Sequence, residues 1–178
     1  MNYKKISVSL TPAGLDTAIR ELQAYKKWLL DRVPVFVEEL AKAGVEIADL
    51  KYHYAVYDGT NDVKVTLDDK EPLRKAVVAV GMAALFIEFG TGVQTWPDNH
   101  PEAADLGMVR GSYGKGYGKR KAWVYEGEPG SMGLPLKGDK VLTHGNPANM
   151  SMYQTKQELT ELFESIAKRV FVYDRPRK

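Results

Sequence analysis

The chain has 178 residues, with 25 Lys+Arg against 23 Asp+Glu and a formal net charge of +2. Apolar residues make up 44% and charged residues 27%, the balance of a folded chain of about one domain rather than a disordered one. Cysteine is absent, which excludes disulfides, thiolate catalysis and Cys-based metal centres. The near-neutral balance argues against a surface given over entirely to nucleic acid.

No stretch reaches the ~18 apolar residues of a spanning helix, so no membrane partner is expected. The first residues, Met1-Asn2-Tyr3-Lys4-Lys5, lead into an alternating pattern rather than an apolar signal core. The expectation is a protein made and kept in a reducing cytoplasm.

Ile6, Val8 and Leu10 alternate with polar residues and predict a short strand. Thr11-Pro12 then reads as a helix start, a hydroxyl N-cap before a proline in the first turn. Leu15, Leu22, Leu29, Phe36 and Ala43 recur every seven residues. Ile19, Val33, Leu40 and Ile47 fill the intermediate row, which Lys26 alone interrupts. This predicts an amphipathic helix over about residues 14–43, roughly 45 Å long. Pro34 predicts a kink or break within it and Gly44 an end. So long an apolar stripe exceeds what the rest of the chain readily covers, so part of it is expected to meet another subunit.

From Tyr52 the period becomes two. Tyr52, Tyr54 and Val56 predict one strand, and Val63, Val65 and Leu67 another, with turn signals at Asp58-Gly59 and Asn61-Asp62. After a connector with Pro72, residues 76–81 read as a central strand and 84–89 as a further apolar strand ending at Gly90-Thr91-Gly92. Residues 92–121 and 126–147 are rich in glycine and proline and read as long excursions, separated by a short strand at 122–125. A final helix over about 152–171 carries Leu159, Leu162, Phe163, Ile166 and Val170 as its stripe. A basic tail, Arg175-Pro176-Arg177-Lys178, follows. The expected fold class is α+β: a mostly antiparallel sheet packed by a long N-terminal and a C-terminal helix, in one domain over 1–178.

The chain carries few residues placed for chemistry. Asp98-x-His100 is half of a metal site that Asp62, Asp68 or Asp69 would have to complete, but no HExxH-like spacing accompanies it. His53, His100 and His144 read as loop histidines with no shared task, and no GxSxG elbow supports a nucleophile. No catalytic, cofactor or metal residue is therefore expected. The segment 111–121 mixes glycine with Tyr113, Tyr117, Lys115, Lys119, Arg120 and Lys121, just after Arg110. Such a loop either tracks a phosphate backbone or makes subunit contacts. Glu88, between Ile87 and Phe89, reads as a structural carboxylate that accepts turn amides or meets a cation.

The block Leu85-Phe86-Ile87-Glu88-Phe89-Gly90-Thr91-Gly92 resembles the (Y/F)-(I/V)-E-(F/Y)-G-T signature of the gene-product-ten-like head–tail joining family of long-tailed phages. Gly145-Asn146-Pro147-Ala148, with the residues up to Met150, is similar to that family's G-x-P-A segment before the last helix. The resemblance implies a non-enzymatic neck or tail-completion protein of the virion. It implies a ring of copies, six favoured, between a head-closure or connector protein and a tail-terminator or tail-tube protein, with genomic DNA in the lumen. The family-motif residues carried over are Glu88, Phe89, Gly90, Thr91, Gly92, Gly145, Pro147 and Ala148. The alternative is a small cytoplasmic nucleic-acid-binding protein that uses the 111–121 loop. A hydrolase using Glu88 or His144 is the third reading.

Overall fold

The computed structural model describes residues 8–92, 100–109, 112–114 and 120–172. The fold is α+β. It is dominated by α1 (Pro12–His53), a helix of 42 residues and therefore ~63 Å long at 1.5 Å per residue. Thr11 caps it, its hydroxyl accepting the Gly14 amide at 3.1 Å, with Pro12 in the first turn. The helix runs through Pro34 without a break. The imino nitrogen has no proton for the Leu30 carbonyl, so a bond is missing there, but the ladders on either side carry the helix on.

Gly44 does not end α1. It is buried, and a Cβ there would lie 2.9 Å from Val77 Cγ2 and 3.0 Å from Leu159 Cδ1. This is where sheet and second helix close onto α1, and a bare backbone makes the approach possible. The helix runs on because Ala41, Ala48 and Tyr52 keep up the buried stripe. The strand expected at 52–56 is absent for the same reason: Tyr52 belongs to the last turn of α1 and packs against Ala83 and Ile87.

The hairpin of β1 (Lys64–Glu71) and β2 (Arg74–Val80) is antiparallel, pairing Val65 with Ala79 and Leu67 with Val77. These two form a sheet of their own, so β2 is not a central strand. The apolar run after it folds as a short helix, α2 (Ala84–Phe89), rather than a strand. Apolar runs this short do not distinguish the two. Here Asp62 decides: its carboxylate accepts the Met82 and Ala83 amides, each at 2.9 Å, and so caps the helix from outside. Those backbone bonds hold the Asp62 carboxyl below its usual range.

A second sheet contains β3 (Trp123–Glu126), β4 (Leu134–Pro135) and β5 (Lys140–Thr143), ordered β3-β5-β4 and antiparallel throughout. The 126–147 excursion thus contains two strands, short enough to be hidden among its glycines. The final helix, α3 (Ser151–Val170), lies antiparallel on α1. Lys51 meets Glu158 at 2.6 Å near one end, and Arg169 pairs with Glu39 toward the other. Phe36 packs edge-on to Phe163, ring centroids 5.1 Å apart. Of the expected α3 stripe, Ile166 and Val170 are buried while Leu162 and Phe163 stay exposed.

At the N-terminus, Val8 and Leu10 are exposed and not in a strand; Ile6 lies outside the described residues, as does the basic tail. The tightest core is Tyr52, Ala83 and Ile87, ringed by Tyr57, Val65, Ala79 and Met152. It sits at the C-terminal end of α1.

Candidate functional site

The two segments that carry the family resemblance lie against each other. Gly90 (φ 74°) ends α2, and Thr91 and Asn146 then exchange backbone bonds: Thr91 N–H to Asn146 O at 2.8 Å and Asn146 N–H to Thr91 O at 3.1 Å. Glycine is required on both sides. A Cβ on Gly92 would meet the His144 carbonyl at 2.5 Å and one on Gly90 would meet the Ala148 nitrogen at 2.7 Å. Both glycines, and Gly145 opposite, have φ in the left-handed range. The Asn146 amide N–H also reaches the Thr91 hydroxyl at 3.0 Å. Beyond the crossing, Asn149 N–H donates to Ile87 O at 2.8 Å, and its side chain bridges to Val56 N–H and O.

Glu88 is the centre of this arrangement. It is 5% exposed, and both of its oxygens are occupied. Oε1 accepts from His100 Nε2 and Tyr153 N–H, each at 3.0 Å. Oε2 accepts Met152 N–H at 2.8 Å and the Tyr52 hydroxyl at 3.4 Å. Met152 and Tyr153 are in the first turn of α3. The residue before that helix, Met150, is left-handed (φ 54°) and gives no side-chain cap. Glu88, 64 residues upstream of Met152, therefore caps α3 and sets a negative charge at the positive end of its dipole. Burial pushes the Tyr52 phenol well up, and the neighbouring carboxylate adds to the shift.

His100 is not a free loop residue. Its Nδ1 accepts the Glu102 N–H at 3.1 Å, so Nε2 carries the proton and donates to Glu88. Its ring lies 4.5 Å from that of Phe89 and 5.3 Å from that of Tyr153, centroid to centroid. Glu102 also pairs with Lys156 of α3 at 2.6 Å, and this bond holds its carboxyl below the usual range. The 100–102 stretch is thus tied to the same α2–α3 corner. Four donors, His100, Tyr153, Met152 and Tyr52, thus surround this carboxylate.

Asp98, which would share a half-site with His100, lies outside the described residues. Among the described residues no group of three His, Asp or Glu is placed to hold an ion. Asp62 is engaged as the α2 cap. His144 contacts the Lys121 carbonyl through Nδ1 at 3.1 Å, and His53 stacks edge-on to Tyr54.

The family-motif positions Glu88, Phe89, Gly90, Thr91, Gly92, Gly145, Pro147 and Ala148 are all drawn into this corner. The cationic loop behaves differently. Tyr113 is half-buried on α2, its ring stacked on Phe86 with centroids 6.2 Å apart and its hydroxyl donating to Gly90 O. It therefore presents that face to its own chain. Arg120 and Lys121 are exposed. Arg110, Lys115, Tyr117 and Lys119 lie outside the described residues.

Sequence reasoning missed three polar anchors. One is His100 itself. The second is Asn149. The third is Asp58, read as a turn signal but 6% exposed; it accepts the Thr143 hydroxyl and the Met132 N–H, both at 2.7 Å. For Asn149, an amide two residues after Pro147 and just before a helix was the available signal. For His100 and Asp58 none existed, because their partners are brought in by the fold. No protein-family model, curated protein or solved structure matches the chain.

Proposed function

We propose that this chain is a structural, ring-forming component of the neck of a tailed phage, joining the DNA-filled head to the tail. The phage assignment rests on the resemblance carried by residues 85–92 and 143–150. In support, those segments form one bonded corner whose carboxylate caps a helix. The observation that carries the assembly part is the apolar stripe on the N-terminal half of α1. Leu15, Ile19 and Leu22 are 47%, 52% and 54% exposed, and Leu29 38%. A row of half-bare leucines at heptad spacing is a surface for other protein. In this reading the chain is not an enzyme. Its partners are further copies, six favoured, together with the proteins above and below it in the neck.

Native mass spectrometry and negative-stain imaging of the purified chain test the assembly. A closed ring is expected; a monomer at every concentration overturns it. Immunogold labelling of particles produced from a genome carrying this gene tests the location. Label at the head–tail joint is expected, and label confined to unassembled lysate overturns the neck assignment. A free monomer whose DNA affinity falls steeply with salt would instead favour the nucleic-acid-binding reading.

A further inference from the structure

We draw no further inference here: the strongest candidate, the outward row of Val124, Leu142 and Leu134 across the β3-β5-β4 sheet, is a bare apolar face, and nothing in the structure shows what covers it.

Discussion

The two halves of α1 carry the same heptad and meet opposite fates. In the C-terminal half the stripe is covered: Phe36, Leu40, Ala43 and Ile47 are half-buried, and Ala41, Gly44, Ala48 and Tyr52 beside them are buried. In the N-terminal half Ala18 is buried, but Leu15, Ile19, Leu22 and Leu29 remain more than a third exposed. Apolar periodicity thus marks a surface to be covered without saying by what. Residue size separates the halves. The covered half sets the small Ala41, Gly44 and Ala48 beside its stripe, which lets backbones approach, whereas the bare half leaves the full-sized Leu15, Ile19 and Leu22 exposed.

That contrast can be broken from its strongest side first. Ile87 is fully buried against Tyr52 and Ala83. Ile87→Ala should lower unfolding free energy by about 2–5 kcal/mol in a denaturant titration. A loss below half a kilocalorie would mean the core lies elsewhere. Glu88→Gln keeps the shape but turns an amide donor toward groups that are themselves donors. It should cost about 1–3 kcal/mol, with α3 fraying first in hydrogen exchange.

Gly44→Val tests the close approach directly, and overpacking there should cost about 1–3 kcal/mol. The matching change in the bare half, Leu22→Ala, should move monomer stability by no more than ~0.5 kcal/mol. Its effect should appear in the oligomer mass instead. Equal thermal shifts for the two variants would erase the distinction.

The smallest expected effect is that of acid. The Asp62 carboxyl is held below its usual range by two amides, so in that window the unfolded chain binds more protons than the folded one. The stability this adds is full above the ordinary carboxylate value and is lost as pH falls through the lowered one. The melting temperature of Asp62→Asn should therefore depend less on pH below about pH 4 than that of the native chain. Parallel profiles would remove Asp62 from its capping role.

Much of this was legible beforehand where periodicity runs long. The start of α1 at Thr11-Pro12, the body of α3 and the strands β1 and β2 follow from spacing and cap residues alone, though not the separate hairpin that the two strands form. What was illegible depended on partners distant in the chain. Residues 84–89 have strand-like composition and are made helical by Asp62. Tyr52 and Tyr54 alternate like a strand, yet Tyr52 is held in the helix by its packing on Ile87. The strands β4 and β5 are too short to stand out from surrounding glycines. Glu88 was readable as a structural acceptor of amides, but not the helix it caps, and His100 gave no sign of its pairing with it.

The crossing of Thr91 and Asn146 gives the chain a fingerprint. Around it the two backbones approach so closely that side chains at 90, 92 and 145 have no room. Drift can rewrite the leucines of α1 or the loops without touching this join. A diverged relative that keeps the join must still carry a glycine on each side of its threonine, a carboxylate three residues before that threonine, and a glycine just ahead of the opposing asparagine. Those few letters, at their relative positions, are what a search for distant kin should weigh above overall identity.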